Sequence, residues 1–175
     1  MEHKNLERYL NSFGKQVVAQ AKEELQKEKG DTALSGSIRY ELTKEFTAKF
    51  FMASYGKFLD KGVSGTEQKR SFTNQDGQKE KSPFKYTTKQ PPTGIIDKWV
   101  VRKGLKGSRD KEGRFIKRKS MVFLIARSIK RKGIKGLSFF QKPFGFAMKD
   151  FDVLFGKALK KDIEEAWSKV EAKLN

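Results

Sequence analysis

The chain has 175 residues and a formal net charge of +18, with one histidine and no cysteine, and this length favours a single domain. The missing cysteines exclude disulfides and thiolate metal sites, and His3 alone leaves almost no scope for histidine catalysis or histidine-rich metal sites. No apolar run approaches the roughly 20 residues that cross a bilayer, so we expect no membrane partner.

The N-terminal third predicts one helix and one hairpin. Over residues 3–29, apolar residues recur at spacings of three and four, which is typical of an amphipathic helix that ends at Gly30. Residues 37–42 and 46–53 alternate between apolar and polar side chains, so we expect two paired strands with a turn between them. The start of the chain is charged and helical rather than signal-like, which predicts a cytoplasmic protein. The helical stripe consists of Leu6, Leu10, Phe13, Val17, Ala21 and Leu25.

Two polar segments occupy the middle of the chain. Residues 63–94 have little periodicity, so we predict an insertion-like loop that is functional or disordered and orders on contact with a partner. We expect residues 104–114 to form a second, mobile and basic loop. Between them the sequence predicts a short helix with Thr93 as its N-cap and Gly104 as its stop.

The C-terminal part predicts three helices. Ser120 is the expected N-cap of a helix over 121–132, and its apolar run 121–126 is expected to be buried. Pro143 is expected to open a short helix, and a last amphipathic helix starts at Phe151. The expected apolar positions of that last helix are Leu154, Ala158, Leu159, Ile163, Ala166, Trp167, Val170 and Leu174.

These elements predict an α+β fold in one domain, residues 1–175. A small antiparallel sheet is packed against N-terminal, middle and C-terminal helices, and the long basic loops 63–94 and 104–114 extend from it.

Positive charge is concentrated in the middle of the chain. Residues 61–150 contain 24 Lys and Arg against 7 Asp and Glu, whereas residues 1–60 contain 10 against 9 and residues 151–175 contain 5 against 5. So local an excess indicates an anionic partner or a charged lumen. A merely soluble, basic surface is the alternative.

Two clusters of cations could hold phosphates without reading base sequence. Residues 130–132 lie at the expected C-terminal end of a helix, where the helix dipole favours cations and so explains part of the second cluster. Residues 117–119 precede the expected N-cap, where the dipole gives cations no benefit, and are better placed for an anionic partner. The first cluster consists of Lys98, Arg102, Lys103, Lys106 and Arg109. The second consists of Lys117, Arg118, Lys119, Lys130, Arg131, Lys132 and Lys135.

Asp110 and Glu112 are the best candidates for catalysis. Carboxylates on a basic surface can bind Mg²⁺ for phosphodiester cleavage. The surrounding sequence, however, is typical of a solvated turn, and the other carboxylates are scattered. We therefore expect no catalytic residues, no metal and no cofactor, and we keep a metal-dependent nuclease only as a third alternative.

Three short motifs follow one another along the chain. Residues 31–38 (DTALSGSI) lie between the predicted helix and hairpin, and residues 55–62 (YGKFLDKG) follow the hairpin. Over residues 126–140 a helix ends in a glycine turn that two phenylalanines follow. The characteristic positions of the second and third motifs are Tyr55, Phe58, Leu59, Asp60, Gly62, Gly133, Ile134 and Gly136.

In order and spacing, these motifs resemble the head–tail joining family of tailed bacteriophages, also called tail-completion or neck proteins. Ala33 stands where the family commonly has Gly, Asp60 replaces the more usual Glu, and Val63 stands where Thr is common. The resemblance covers most of the chain but excludes residues 63–94 and 104–114.

The resemblance implies a non-enzymatic virion protein that forms a homo-oligomeric ring between the head portal and the tail. Its expected partners are neighbouring portal, neck and tail proteins, with genomic DNA in the lumen. It would be found in the virion neck, and in the host cytoplasm during assembly. From the charge alone, a free-standing basic protein that binds nucleic acid without sequence preference remains the alternative.

Overall fold

The computed structural model describes residues 3–30, 32–105, 107, 109 and 111–174, and within them it shows the predicted α+β fold. The β-structure consists of small two-stranded sheets. The elements are α1 (Lys4–Lys29), α2 (Ala33–Ser37), β1 (Arg39–Leu42), β2 (Ala48–Phe51), α3 (Gly56–Lys61), β3 (Val63–Ser64), β4 (Ser71–Thr73), β5 (Lys79–Lys81), α4 (Thr93–Arg102), α5 (Arg118–Lys132), β6 (Gly133–Ile134), α6 (Gln141–Met148) and α7 (Phe151–Leu174).

The chain divides into two compact units, each assembled from separate stretches of sequence. The first unit comprises residues 1–56, 73–78 and 138–175, and the second comprises residues 57–72 and 79–137.

In the first unit, α1 is the central helix. All six residues of its predicted apolar stripe are buried, which confirms both the helix and its orientation. The predicted hairpin is also confirmed, because β1 and β2 pair antiparallel from Leu42 opposite Ala48 to Arg39 opposite Phe51. The ring of Tyr40 lies against Gly14, where a Cβ would come within 2.4 Å of the ring. A larger residue at position 14 would therefore separate β1 from α1.

Aromatic rings extend this core to the C-terminal helices. The ring of Phe13 contacts the rings of Phe144 and Phe151, with centroids 6.3 and 5.0 Å apart. The ring of Phe50 contacts Phe140 at 5.6 Å. Such edge-to-face pairs add to the burial of the rings themselves. They join α1 and β2 to α6 and to the start of α7.

The predicted apolar face of α7 is only partly correct. Ala158 packs with Leu6 and Leu10 of α1, but Ile163, Trp167 and other predicted positions are exposed. The helix instead turns the carboxylate of Asp162 into the unit, where Asp162 is only 1% exposed. Periodicity misassigned this face because it counts a charged residue as solvent-facing, whatever hydrogen bonds the residue finds.

In the second unit, α4 and α5 pack around a small apolar core of Ile96, Val100, Met121, Val122 and Ala126. The run 121–126 is therefore not buried throughout, because Phe123 and Leu124 are 47% and 51% exposed. In any helix, a continuous apolar run of this length must turn some of its members away from the core.

Three predicted helix starts are wrong. The start of α5 differs by three residues, that of α6 by two and that of α4 by one. Helix α5 begins at Arg118 with Lys117 at the N-cap position, so Ser120 lies inside its first turn. Thr93 is the first helical residue of α4 and Pro92 occupies the cap. Helix α6 begins at Gln141, and Pro143 is its third residue, where the missing N–H costs no helical hydrogen bond.

Candidate basic interface

Almost all of the net positive charge lies in the second unit. The second unit contains 23 Lys and Arg against 6 Asp and Glu, a formal charge of +17, whereas the first contains 16 against 15. Both predicted cation clusters belong to the second unit. A unit this basic attracts anionic surfaces and repels other basic ones.

Residues 63–70 cover the C-terminal end of α5. Strand β3 pairs with β6, so that Val63 lies opposite Ile134 and Ser64 opposite Gly133. The backbone N–H groups of Thr66 and Glu67 donate to the carbonyls of Lys130 and Arg131, at 2.9 and 3.0 Å. These carbonyls belong to the last turn of α5, which leaves its acceptors without helical partners. The start of the predicted loop 63–94 is thus a cap for α5.

Two glycines permit this close approach. Gly133 has a φ of +74°, and a Cβ there would lie 2.1 Å from the carbonyl oxygen of Val63. A Cβ on Gly65 would lie 2.0 Å from the carbonyl oxygen of Arg131. No side chain fits at either distance, so both positions require glycine.

Two of the three cations in the last turn of α5, Lys130 and Arg131, have side-chain partners in their own unit, and the carbonyl of Lys132 accepts a third hydrogen bond. Arg131 Nε lies 2.5 Å from Glu67 Oε1, Lys130 Nζ donates to the carbonyl of Thr88 at 2.6 Å, and Arg70 Nε donates to the carbonyl of Lys132 at 2.7 Å. The hydrogen bond from Arg131 holds the pKa of Glu67 below its ordinary value, and the same bond raises the pKa of Arg131. The side chains of Lys130 and Arg131 therefore contribute to holding Glu67 and Thr88 in place within the second unit.

The N-terminal end of α5 is different. Lys117 is at the N-cap position, Arg118 and Lys119 are the first helical residues, and the first turn contains no acidic residue. Cations there oppose the helix dipole. Asp97 of α4 offsets part of this charge, since its Oδ1 lies 3.0 Å from Arg118 Nε. Lys117 and Lys119 are exposed and, among the described residues, their side chains have no hydrogen-bond or ion-pair partner.

The first cation cluster lies on α4 and beyond it. Lys98, Arg102 and Lys103 are exposed, and within the described ranges their side chains have no polar partner. Arg109 lies over the ring of Phe115 at 4.2 Å and donates to the carbonyl of Gly113 at 3.0 Å. Lys106 lies outside the described residues. In the second cluster, Lys132 and Lys135 are likewise exposed, with no side-chain polar partner in the described part of the chain.

The second and third motifs of the phage resemblance meet in space within the basic unit. A Cβ on Gly62 would lie 2.6 Å from the nitrogen of Gly136, and the N–H of Leu137 donates to the carbonyl of Leu59 at 2.9 Å. The remaining positions of the second motif belong to α3 or its approach. Asp60 is buried, Phe58 contacts the ring of Phe84 at 4.7 Å, and Tyr55 is 45% exposed.

Apolar side chains lie among the exposed cations of α4 and α5. Ile95 and Trp99 are 68% and 42% exposed on α4, beside Lys98 and Arg102. Residues 95, 96, 99 and 100 form two adjacent stripes along the helix. Ile96 and Val100 face the core, whereas Ile95 and Trp99 do not.

Of the proposed catalytic pair, only Glu112 lies within the described residues. Glu112 forms an ion pair with Arg114, and Asp110 lies outside the described residues. The residues that the structure describes contain no group of three or more His, Cys, Asp or Glu side chains placed to bind a metal ion. None of the described helices is long and apolar enough to cross a membrane.

No protein-family model, curated protein or solved structure matches this chain.

Proposed function

We propose that this protein is a non-enzymatic structural component of the head–tail connector of a tailed bacteriophage. In this proposal it assembles as a homo-oligomeric ring around the DNA path, between portal or neck proteins and the tail. It is present in the virion neck, and in the host cytoplasm during assembly.

One observation carries the proposal: a compact unit with a formal charge of +17 is joined in one chain to a unit with a charge of +1. A connector subunit needs a part that tolerates passing DNA or an acidic neighbouring ring, and another that does not bind phosphate. Exposed cations on α4 and at the start of α5 supply sequence-independent phosphate contacts. The contact between the two glycine motifs is consistent with the resemblance, in which both are characteristic.

Size-exclusion chromatography with light scattering and negative-stain microscopy of the purified chain test the proposal. We expect ring-shaped particles whose mass is a multiple of the 20.1 kDa subunit. Genes for portal, capsid or tail proteins beside the coding sequence would be the expected genomic context. A protein that stays monomeric, and whose coding sequence lies far from such genes, would overturn the proposal.

The second candidate is a free-standing protein that binds nucleic acid without sequence preference. The same exposed cations favour it, because phosphate neutralisation alone gives salt-sensitive binding. A stable monomer that binds duplex DNA, with affinity falling steeply as salt rises, would support this function instead.

A further inference from the structure

The C-terminal part of α7 extends past the helix on which it packs. Asp162 lies level with the first turn of α1 at Asn5, and Phe151 lies beside Phe13, so the two helices are antiparallel. The nine residues after Glu165 therefore continue about 13 Å beyond the start of α1, at 1.5 Å per residue. Within the described part of the chain, no hydrogen bond or ion pair joins residues 166–172 to another element.

Counted from Ile163, this extension has an exposed apolar stripe that two glutamates border. Ile163, Trp167 and Val170, spaced by four and three residues, are 51%, 65% and 50% exposed, and such spacing places them on one face of the helix. Glu164 and Glu171 border that face, and Glu164 forms an exposed ion pair with Lys160 of the same helix at 3.6 Å. The indole Nε1 of Trp167 donates to Glu171 Oε1 at 2.7 Å, which fixes the ring along the helix.

The outer face of α4 has the same design with opposite charge. Ile95 and Trp99 are four residues apart and exposed, just as Ile163 and Trp167 are. Lys98 and Arg102, also four residues apart, lie beside them. Ile96 and Val100 on the adjacent stripe anchor α4 in the core of the second unit, and Ile95 and Trp99 are not part of that core.

We infer that the extension of α7 in one copy docks on the outer face of α4 in a second copy of this chain. Ile163 and Trp167 pack against Ile95 and Trp99, and the two glutamates of α7 face the two cations of α4. Charge complementarity identifies the occupant, because Glu164 and Glu171 border the apolar stripe of α7, whereas the cations Lys98 and Arg102 border that of α4.

The two surfaces are unlike and lie on the same chain, so each copy both offers an extension and receives one. Contacts of this kind close into rings when the rotation between subunits allows it. The inference therefore rests on the proposed function and specifies the contact between neighbouring subunits. Two short helical stripes form a small interface, so the single contact is weak and closure of the ring supplies the stability.

Charge reversal tests the contact in the full-length protein. The variant Lys98→Glu/Arg102→Glu and the variant Glu164→Lys/Glu171→Lys should each weaken self-association at least about tenfold, because like charges then face each other. The variant with all four substitutions should regain most of the association. Sedimentation velocity over a range of protein concentrations up to about 500 μM measures it, where even a mid-micromolar contact is populated.

Two matched variants control for net charge. Lys79→Glu/Lys81→Glu on the exposed strand β5, and Glu28→Lys/Glu45→Lys in the first unit, make the same changes of charge elsewhere and should leave association unchanged. Circular dichroism verifies that every variant folds. Trp99 and Trp167 are the only two tryptophans, so association should also shift their fluorescence to shorter wavelength.

The outcomes separate this contact from the ring itself. Rings that survive both double reversals would overturn the contact and leave the proposed function standing. Rescue by the four-residue variant in a dimer or an open chain would support the contact and contradict the ring. A wild-type chain that stays monomeric at the highest concentration would overturn the contact.

Discussion

The carboxylate of Asp162 accepts a hydrogen bond from the backbone N–H of Leu6, 156 positions earlier in the chain, at 2.9 Å. Its other oxygen accepts from the N–H of Asn5, also at 2.9 Å. These N–H groups belong to the first turn of α1, which has no partners of its own for them. His3, at the N-cap position, supplies no side-chain hydrogen bond to the described helix. Helix α7 therefore provides the cap that α1 lacks locally.

Replacing Asp162 by Asn should destabilise the first unit. The amide retains one acceptor oxygen but directs an NH₂ group at the second N–H of α1, which then stays buried without a partner. We expect the melting temperature at pH 7 to fall by roughly 5 °C. Thermal unfolding followed by circular dichroism measures this. Glu164→Gln, an exposed carboxylate on the same helix, is the control and should change the melting temperature little.

The effect of Asp162→Asn should also depend on pH. Burial raises the pKa of Asp162, but hydrogen bonds from Asn5 and Leu6, together with the charge of His3, outweigh it and leave the pKa below its ordinary value. A lowered pKa in the folded state stabilises the protein above the unfolded pKa of about 4, and the stabilisation is lost as the pH falls through the folded value. The gap between wild type and variant should therefore narrow in acid. A gap as large at pH 2 as at pH 7 would contradict this account.

Helix α1 shows what the sequence could predict. Its stripe of six apolar residues gave both the helix and its buried face, because α1 has partners along its length in the first unit. Helix α7 has an equally regular pattern, but only its first half lies against α1. No pattern along α7 reports where its partner helix begins. The burial of Asp162 was invisible for the same reason, since its hydrogen-bond donors are in the first turn of α1.

The glycine at the end of α5 gives a second prediction. Gly133→Ala should destabilise the second unit by about 2–4 kcal/mol, because a Cβ adds a clash with the Val63 carbonyl to the strain of a positive φ. Gly104→Ala is the matched control: its φ is +62°, and no atom lies within 4 Å of the added carbon. It should cost only about 1 kcal/mol. Urea unfolding of both variants measures the difference, and equal losses would show that the close approach is unimportant.

Residues 63–70 should be ordered in the free subunit. The amides of Thr66 and Glu67 are bonded to the last carbonyls of α5, so their hydrogens should exchange with solvent at least about tenfold more slowly than in an unstructured peptide. Hydrogen–deuterium exchange of the isolated protein, resolved by mass spectrometry, tests this. Exchange at peptide rates before assembly, with protection only afterwards, would instead support ordering on contact with a partner.

The cation clusters could be read from the sequence, but their separate uses could not. Arg131 and Glu67 are 64 positions apart, and no local signal links an arginine at a helix end to a glutamate in a polar segment. The helix dipole explained residues 130–132 in part. The structure shows in addition that the side chains of Lys130 and Arg131 bind partners within the second unit. It also places Lys117 at the N-cap position, where the dipole disfavours a cation and where its side chain has no polar partner among the residues that the structure describes.

This difference between the two ends of α5 predicts how they respond to charge removal. Lys117→Gln/Lys119→Gln should weaken binding of a short duplex DNA, and should reduce the slope of log K against log salt concentration by up to about 2. Lys130→Gln/Arg131→Gln removes the same charge but mainly breaks the side-chain bonds to Glu67 and Thr88, so it should change the slope less and lower the melting temperature more. Fluorescence anisotropy at several salt concentrations, paired with thermal unfolding, compares the variants. If the second variant lost more of the salt slope and kept full stability, the end of α5 capped by residues 63–70 would be the phosphate-binding one.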